Sequence, residues 1–402
     1  MRQILFVWNY LDWGGAQIYF LAIMKAARKN WKIKVVLPRE SPADIINYIE
    51  QIGVEYEFIN VRIDLKPARG IRAKFVRQWR RIHSELVIFL YLLRYNLKNT
   101  VVHIEAPPWQ SWILLTALCL RTGVFVTMHN SLPKGSKWRE FIWRRRMRWL
   151  AGLKNFNLFA SNQDTKNSLK RWLAPEAWEK VRVTYTSINP EEIQKVLDSD
   201  FNKWELCRKH DLPENKFLVL CVGQFIDRKG RWVFLEAARK ILEKGEREIE
   251  FVWLTQKYPN AEEVEKINSY NLNNYFHLIL SNSVGKERYD ILNFFRLADL
   301  YVLASFIEGL PIALLEAMAL EKCSVSTSVN AIPEAVKHLE TGVLIEAGDS
   351  GALVDAIVLL KADTELRNRL AADGRRLVLE NFDERAMAET ALECYERSLS
   401  GK

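Results

Sequence analysis

Two glutamates with seven residues between them are the side chains of this sequence best suited to chemistry. Glu308 lies beside a Gly-Leu-Pro segment, and Glu316 lies in the apolar run that follows. Residues 300–304 precede them and are typical of a buried parallel strand. Because proline is tolerated in the first turn of a helix, Pro311 is expected where a helix begins. The pair is therefore expected on a strand, loop and helix in that order.

This arrangement favours binding of hydroxyl groups next to an anion. The free N–H groups and the positive dipole end at the start of a helix can hold a diphosphate, and carboxylates accept hydrogen bonds from hydroxyls. Two carboxylates beside an anion site predict a nucleotide-sugar site. For the bare pair the alternative is a loop glutamate and a solvated helical glutamate, which the spacing alone does not distinguish.

With its flanking segments, the pair resembles the signature of the retaining glycosyltransferases of family 4, which are group 1 enzymes with the GT-B fold. The resemblance continues through 324–334, 341–349 and 352–370, and so covers the C-terminal half. It implies that Glu308 contacts hydroxyls of the transferred sugar and that Glu316 holds the ribose. It also assigns four neighbouring residues to the donor: Gly309, Leu310, Pro311 and Ile312.

A second loop of the C-terminal half resembles the phosphate clamp of that family. A strand is expected at 217–222, followed by a turn that bears positive charge. Lys229 matches the family's lysine, whose ammonium group would neutralise the diphosphate and stabilise it as it departs. Gln224 stands where the family has an arginine, so the second charge is expected from Arg228 or from elsewhere. Without this context, an Arg-Lys-Gly turn would more often be solvated surface.

Two features of the N-terminal half complete the resemblance. Gly14, Gly15 and Ala16 follow the first expected strand and resemble the family's Gly-Gly-Ala loop, which lies across the cleft from the donor phosphates. His129 follows the strand expected at 124–128, at the carboxyl end where open α/β sheets bind ligands. The resemblance places this histidine near the transferred sugar, so it joins Lys229 and Glu308 as a predicted catalytic residue.

The remaining histidines and the cysteines carry no metal or redox motif. His103 also ends an expected strand and, with Glu105, would line the acceptor side, the alternative being a packed or solvent-facing histidine. No pair of histidines has metal-ligand spacing, so no catalytic metal is expected. The five cysteines are scattered without a Cys-x-x-Cys motif, which predicts reduced, mostly buried thiols of a cytosolic protein.

Length and pattern predict two domains. At 402 residues and 49% hydrophobic content, the chain can bury large cores. Apolar and helical segments alternate in both halves, which predicts an α/β fold of two Rossmann-like, doubly wound domains facing a central cleft. An acceptor-binding domain is expected at 1–190, completed by a helix at about 384–402, and a nucleotide-sugar domain at 191–383. The apolar runs are too short for a signal peptide or a membrane span, so neither is expected.

Specific strands follow from the same alternation. In the N-terminal half they are expected at 3–8, 33–37, 56–59, 101–104, 124–128 and 158–160. In the C-terminal half they are expected at 217–222, 249–254, 277–280 and 300–304. Loops after the middle strands of the second half, at Thr255 and 281–284, are expected to hold the nucleobase.

The two halves differ in charge. Residues 1–190 carry 31 lysines and arginines against 13 acidic residues, a net charge of +18, whereas residues 191–402 carry a net charge of −9. This difference supports a boundary near residue 190. It also gives the first half a positive field that attracts anionic surfaces or polymers.

Two basic segments, 66–83 and 134–154, combine arginines with apolar side chains. The first has Ile71, Phe75, Trp79 and Ile82 at helical spacing, and the second alternates aromatic and basic residues. Such segments favour the headgroup layer of an anionic membrane. The alternative is an ordinary helix whose apolar side packs on its own sheet. The arginines assigned to the membrane or acceptor are Arg72, Arg77, Arg80, Arg81, Arg144, Arg145, Arg146 and Arg148.

Nucleic acid is the competing partner for such a surface, but the sequence has no helix-turn-helix, RNP, KH or zinc pattern, so no nucleic acid is expected. The sequence and the resemblance predict a metal-independent hexosyltransferase with no cofactor beyond its UDP- or GDP-sugar donor. Its acceptor is expected to be a glycan or lipid-linked saccharide in cell-envelope polysaccharide, lipopolysaccharide or glycolipid synthesis, at the inner face of the cytoplasmic membrane. Two alternatives are a sugar-nucleotide epimerase of the same fold and an inactive membrane-associated assembly protein, the latter conceivable because of Gln224.

Overall fold

The chain forms two compact units. The computed structural model describes residues 2–8, 15–61, 70–132, 135–285 and 287–400. One unit comprises Met1–Thr186 and Glu384–Lys402, and the other comprises Ser187–Asp383. The division lies within four residues of the boundary expected from charge.

The N-terminal unit is built on a parallel sheet of seven strands in the order β3-β2-β1-β4-β5-β6-β7. Its strands are β1 Gln3–Val7, β2 Lys32–Pro38, β3 Glu55–Ile59, β4 Thr100–Ile104, β5 Gly123–Met128, β6 Phe156–Ala160 and β7 Arg182–Val183. The central strands β4 and β5 are buried along their whole length, as expected for a parallel sheet covered on both faces. Six of these strands were expected from the sequence. Only β7 was not, because two residues are too short to show a pattern.

Helices cover both faces of this sheet. The helices are α1 Gly15–Ala27, α2 Ala43–Gln51, α3 Ile71–Leu92, α4 Trp112–Cys119, α5 Lys137–Ala151, α6 Gln163–Ser168 and α7 Pro175–Glu179. One core cluster joins the sheet to α3, α4 and α5, and a second cluster on the other face joins it to α1 and α2.

The C-terminal unit repeats this plan with a parallel sheet of six strands in the order β10-β9-β8-β11-β12-β13. The strands are β8 Phe217–Val222, β9 Ile249–Thr255, β10 Phe276–Leu280, β11 Leu300–Leu303, β12 Ser324–Thr327 and β13 Val343–Ile345. The helices are α8 Pro190–Leu197, α9 Lys203–Lys209, α10 Arg231–Glu243, α11 Ala261–Asn268, α12 Ser281–Val284, α13 Arg288–Phe295, α14 Ile312–Ala319, α15 Ile332–Ala335, α16 Ser350–Ala362 and α17 Thr364–Asn381. The order of the strands reverses between the parallel neighbours β8 and β11, and the carboxyl ends of strands at such a switch point are where open sheets bind ligands.

The last helix, α18 Glu384–Ser400, belongs to the N-terminal unit. It packs beside α1 and buries Met387, Ala391 and Tyr395 in the second core cluster. The expected α/β class with two doubly wound sheets is confirmed. A cleft between the two units remains a prediction.

Candidate functional site

The two glutamates lie on the expected strand, loop and helix. Strand β11 is fully buried, the loop 304–311 carries Glu308, and α14 carries Glu316 in its second turn. Glu308 is only 6% exposed and Glu316 only 5%. A buried carboxylate is costly unless it is paired, so neither glutamate is the solvated surface residue of the alternative interpretation.

Glu308 is surrounded by donors that the sequence had partly identified. The Lys229 Nζ atom lies 2.6 Å from Oε1, and the Ser305 hydroxyl donates to the same oxygen at 2.7 Å. A guanidinium nitrogen of Arg228 lies 3.5 Å from Oε2 and donates to the Ile307 carbonyl at 3.0 Å. The structure thus brings Lys229, Arg228 and Glu308 together, and Ser305 is a contact that sequence reasoning missed.

A short turn after β8 places the two cations. Asp227–Lys229 form a turn of 3-10 helix, and the Phe306 amide donates to the Arg228 carbonyl at 2.9 Å. Gly230 follows with a φ of +73°, and a Cβ atom there would lie 1.8 Å from the Ala304 carbonyl oxygen. The two loops therefore approach so closely that only glycine fits at this position.

Glu316 is held by an arginine that no motif had indicated. A guanidinium nitrogen of Arg288, at the start of α13, lies 2.5 Å from Glu316 Oε1, and Arg288 Nε donates to Glu192 at 3.0 Å. Burial raises the pKa of Glu316, and the charge of Arg288 counteracts this. Arg288 is 28 positions away from Glu316 in the sequence, and Glu192, the second partner of Arg288, is 96 positions away from Arg288, so spacing gives no signal for either pair.

The remaining polar side chains around the clamp differ in their burial and in their hydrogen bonds. Gln224 is half-buried and carries no charge. Arg231 is buried and bonded to Asp227, Glu263 and the Phe225 carbonyl, so it stabilises the loop. Arg228, by contrast, is 43% exposed at its side chain. It is therefore the cation placed to substitute for the arginine missing at position 224.

The start of α14 was predicted within one residue. Pro311 occupies the N-cap position, where the sequence had placed it in the first turn, and no side chain caps this end. Leu310 is 4% exposed and packs in the core, whereas Gly309 and Ile312 are half-buried. Ligand contact in this loop would therefore use backbone groups and small surfaces more than the Leu310 side chain.

The expected nucleobase loops are also formed. Thr255 is buried at the end of β9 and accepts from the Phe225 amide at 3.3 Å, which fixes it to the clamp loop. Residues 281–284 form the short helix α12. Whether these loops hold a base stays a prediction.

In the N-terminal unit, two predicted site residues end neighbouring strands. His129 follows β5 and Glu105 follows β4, with 3.5 Å between His129 Nε2 and Glu105 Oε1. His103 is fully buried, and its ring nitrogens pair with Tyr395 at 2.5 Å and Thr127 at 2.9 Å. His103 is therefore a packed histidine, the alternative given for it above, because its ring is buried and both ring nitrogens have partners. Burial also lowers its pKa.

Only part of the predicted Gly-Gly-Ala loop lies within the described residues. Gly14 lies outside the described residues, Gly15 begins α1, and Ala16 lies half-buried in the first turn of that helix. The contact of this loop with a donor remains a prediction.

The described parts of the two basic segments contain the helices α3 and α5, which have exposed apolar side chains. Residues 66–69 and 134 lie outside the described residues. On α3, Ile71 is 89% exposed, Phe75 71% and Trp79 65%. On α5, Trp138 and Trp149 are exposed by more than half. The apolar side of α3 therefore does not pack on its own sheet over its first turns, which is what the alternative interpretation required.

Two of the eight arginines point inward. Arg81 donates to Gln110 at 2.7 Å, and Arg146 donates to the Trp109 carbonyl at 3.1 Å. Both are partly buried, so they support the packing of α3, α4 and α5 and do not line the outer surface as predicted. The other six are exposed: Arg72, Arg77, Arg80, Arg144, Arg145 and Arg148.

The part of the chain that the structure describes contains no group of three or more histidines, cysteines or carboxylates that could hold a metal ion. It also contains no helix that is both long and apolar enough to cross a membrane. Four of the cysteines are buried and the fifth is partly buried, all as free thiols.

Comparison with known families places the clamp and both glutamates in one domain. Residues 202–377 match the family model for glycosyl transferases group 1. CapM of Staphylococcus aureus, a capsular polysaccharide biosynthesis glycosyltransferase, is 27% identical over 192 residues, 47% of this chain and 48% of that protein. The N,N'-diacetylbacillosaminyl-diphospho-undecaprenol alpha-1,3-N-acetylgalactosaminyltransferase of Campylobacter jejuni is 28% identical over 195 residues, 48% of each chain. The chain spans about half the length of the curated relatives it matches.

Solved structures match over nearly the whole chain. A glycosyltransferase from Rickettsia africae has a TM-score of 0.78 at 17% identity, covering 100% of this chain and 99% of that one. Anabaena HepE in complex with UDP has a TM-score of 0.75 at 16% identity, covering 99% and 100%. At these identities the likeness shows the fold alone, and it confirms the GT-B class.

Proposed function

We propose that the chain transfers a hexose from a nucleoside diphosphate sugar to a glycan or lipid-linked acceptor, because residues 202–377 match the family model for glycosyl transferases group 1. The observation that carries the proposal is the cluster of Lys229, Arg228 and the buried Glu308 at the carboxyl ends of β8 and β11. Two cations and a buried carboxylate are the groups needed to hold a diphosphate and the hydroxyls of a sugar.

The cluster suits the charge that develops when a nucleoside diphosphate leaves. The ammonium group of Lys229 and the guanidinium group of Arg228 would stabilise the departing phosphates, with help from the uncapped end of α14. Because two protein cations lie at this place, we propose that charge stabilisation does not need a metal ion. The donor is proposed to be a UDP- or GDP-sugar, in keeping with Anabaena HepE, which was solved with UDP.

We further propose that transfer proceeds with retention at the anomeric carbon. This rests on the resemblance to family 4, in which the leaving phosphate assists deprotonation of the acceptor. The protein would then contribute positioning and charge stabilisation. Glu308 would orient the sugar, Glu316 would hold the ribose, and His129 would contact the transferred sugar from the N-terminal unit.

The acceptor is proposed to be presented at an anionic membrane surface. The relative from Campylobacter jejuni is named for an undecaprenol-linked substrate. On the N-terminal unit, exposed apolar side chains of α3 and α5 are interspersed with six exposed arginines. We call these residues the arginine–aromatic surface: Ile71, Arg72, Phe75, Arg77, Trp79, Arg80, Trp138, Phe141, Arg144, Arg145, Arg148 and Trp149.

This surface has the properties of an interfacial helix pair. Tryptophan tolerates the headgroup region, and each basic residue near an anionic leaflet contributes about 1 kcal/mol. An extended apolar patch would be unfavourable in water, and its arginines would repel a basic partner. The Arg145 Cζ atom lies 5.8 Å from the centroid of the Phe141 ring. This cation–π contact holds one arginine and one aromatic side chain of the surface together. Peripheral attachment to the inner face of the cytoplasmic membrane is proposed on this basis.

A donor panel tests the transfer itself. The full chain is incubated with UDP- and GDP-hexoses, and release of the nucleotide and the anomeric configuration of the product are followed by chromatography and NMR. Glu308→Gln should lower turnover at least about hundredfold, since removing one preorganised group at such a site costs roughly 100- to 1,000-fold. The matched control is Glu340→Gln, because Glu340 is exposed on the same unit.

The outcomes separate the alternatives. Epimerisation of the donor without transfer would favour the sugar-nucleotide epimerase, and no binding of UDP or GDP in a thermal-shift assay would favour the inactive assembly protein. Inversion at the anomeric carbon would refute retention while leaving the transferase proposal intact.

Vesicle flotation tests the membrane proposal separately. Vesicles of phosphatidylglycerol and phosphatidylethanolamine should bind the wild type at low salt, and binding should weaken as salt screens the charges. Arg144→Glu with Arg145→Glu should release the protein. The matched control is Lys29→Glu with Lys32→Glu, because these exposed lysines flank the end of α1, which packs on the other face of the sheet. Equal flotation of the two double variants would refute the arginine–aromatic surface as the docking site.

A further inference from the structure

Glu105 is a buried carboxylate at the carboxyl end of β4. It follows β4, its amide donates to the Val7 carbonyl at 3.0 Å, and its side chain is 3% exposed. Among the described residues, neither of its carboxylate oxygens has a hydrogen-bond partner. A buried carboxylate left in this way is destabilising, so its presence calls for a functional explanation.

The carboxylate of Glu105 faces the imidazole of His129, which follows β5. Its Nε2 atom lies 3.5 Å from Glu105 Oε1 and is enclosed. The His129 side chain as a whole is 19% exposed, so its exposed part belongs to side-chain atoms other than Nε2. Glu105 therefore lies behind the histidine, and the histidine faces outward.

The rest of the pocket fixes the ring without competing for its nitrogens. The ring of Tyr19 packs edge-on at 5.3 Å, and the Ser161 hydroxyl donates to the His129 carbonyl at 3.3 Å. Burial raises the pKa of Glu105, whereas His129 lowers it. The neighbouring His103 shows the contrasting case, since both of its nitrogens are satisfied within the core.

We propose that Glu105 is a positioning residue that holds His129 to accept a hydrogen bond from a sugar hydroxyl. The carboxylate accepts from the Nε2–H group of the neutral imidazole, which leaves the lone pair on Nδ1. That lone pair accepts the hydroxyl hydrogen. The gap of 3.5 Å is longer than a hydrogen bond, as is common in sites that tighten when ligand binds.

The inference rests on the proposed function, since the ligand is a sugar. The carboxyl ends of β4 and β5 lie at the edge where open α/β sheets bind ligands, which supports a ligand at His129. The hydroxyl can belong to the donor sugar or to the acceptor, and the same hydrogen bond would serve either.

The tautomer of His129 tests the positioning without any need for transfer. In 15N NMR of the full chain with labelled histidine, His129→Asn identifies the signals of residue 129. The proton should lie on Nε2 in the wild type. In Glu105→Met the enclosed N–H would lose its acceptor, so the population protonated on Nδ1 should rise. Glu105→Gln keeps one acceptor oxygen and the shape of the side chain. Its population of His129 protonated on Nδ1 should therefore lie between those of the wild type and Glu105→Met.

The matched control is Glu85→Gln, because Glu85 is another largely buried carboxyl of the N-terminal unit, whose pKa burial also raises, and it pairs with Arg81. This variant should leave the His129 tautomer unchanged. A wild-type histidine protonated on Nδ1, or the same tautomer in Glu105→Met and the wild type, would overturn the proposal even if transfer is normal.

Deoxy sugars then identify the hydroxyl. UDP-glucose analogues and acceptor analogues, each lacking one hydroxyl, are compared as substrates. For one of these analogues, kcat/KM of the wild type should be at least tenfold lower than for the parent substrate. His129→Asn and Glu105→Met should use this analogue and the parent substrate almost equally well. If that analogue is a donor, the hydroxyl belongs to the donor sugar. If it is an acceptor, the hydroxyl belongs to the acceptor. Equal discrimination in all three proteins would contradict the proposal. If no sugar is transferred but the tautomer depends on Glu105, the proposed function fails and the positioning stands.

Discussion

The Lys229 Nζ atom lies 2.6 Å from Glu308 Oε1, so the cation expected to meet the donor phosphates and the carboxylate expected to meet the sugar neutralise each other in the free protein. Ser305 and Arg228 complete the shell around the carboxylate. The pair links the loop after β8 to the loop after β11. A donor that enters would exchange this ion pair for contacts with its own phosphates and hydroxyls.

The pair should behave as one unit in catalysis. Lys229→Met and Glu308→Gln should each lower kcat/KM by about 100-fold or more, because each removes a preorganised group. The double variant should lose much less than the product of the two effects, since contacting residues are not additive. The measurement is kcat/KM for the four proteins with the best donor. Losses that multiply would show that the two residues act independently.

Arg228 should supply the second charge that Gln224 lacks. Arg228→Gln should weaken UDP or GDP binding by about tenfold, in line with about 1.5 kcal/mol for a charge-assisted hydrogen bond. Gln224→Arg should tighten binding, because it restores a full charge. Isothermal titration calorimetry checks both. Arg239→Gln is the control, since Arg239 pairs with Glu236 and Glu243 on α10. An unchanged affinity in Arg228→Gln would exclude Arg228 as the second cation.

Arg288 should keep Glu316 ionised, with a defined dependence on pH. Burial raises the pKa of Glu316, so the folded unit takes up a proton more readily than the unfolded chain. The free energy of unfolding therefore falls as pH rises from the ordinary carboxyl value through the raised one. In Arg288→Met the positive charge beside Glu316 is lost, so the pKa of Glu316 rises further. The free energy of unfolding then continues to fall as the pH rises toward neutral.

Thermal unfolding at pH 5 and pH 8 measures this effect. Arg288→Met should be destabilised more at pH 8 than at pH 5, by about 2 kcal/mol. This is less than the roughly 3–5 kcal/mol for breaking a fully buried pair, because Arg288 is partly exposed. Adding Glu316→Gln should remove the extra loss at pH 8. The same loss at both pH values would mean that Glu316 is not the group that titrates.

Gly230 should be far less tolerant of a side chain than Gly245. Both have left-handed backbone angles, with φ of +73° and +85°. At Gly245 a Cβ atom would meet nothing within 4 Å, whereas at Gly230 it would overlap the Ala304 carbonyl. Gly245→Ala should cost about 1 kcal/mol from the backbone alone. Gly230→Ala should cost several times as much and also lower activity, because the overlap would push apart the loops that bear Lys229 and Glu308. Urea unfolding compares the variants, and equal costs would contradict the close approach.

Local sequence patterns were sufficient for much of the framework. Ten strands were expected close to their observed bounds, because buried parallel strands are short, continuous apolar runs. Glu308, Lys229 and Arg228 were expected in one donor site because of the resemblance to the glycosyltransferases of family 4. The boundary near residue 190 followed from the change in charge.

Other features depended on contacts between distant parts of the chain. Arg288 pairs with Glu316 although nothing in their spacing marks them, and Arg81 and Arg146 turn inward although they belong to basic segments. His103 and His129 both end strands in the sequence, yet one is sealed in the core by Tyr395 of α18, about 290 residues away, and the other faces outward.

Local hydrophobic periodicity and motif spacing were enough to predict the order of elements, the α/β class and the residue types at the carboxyl ends of the strands. The pairing of charges, the exposure of His129 and the exposure of the apolar side chains of α3 became clear from the folded structure. Those properties depend on burial and on distances between side chains far apart in the chain, and the pattern of neighbouring residues does not encode them.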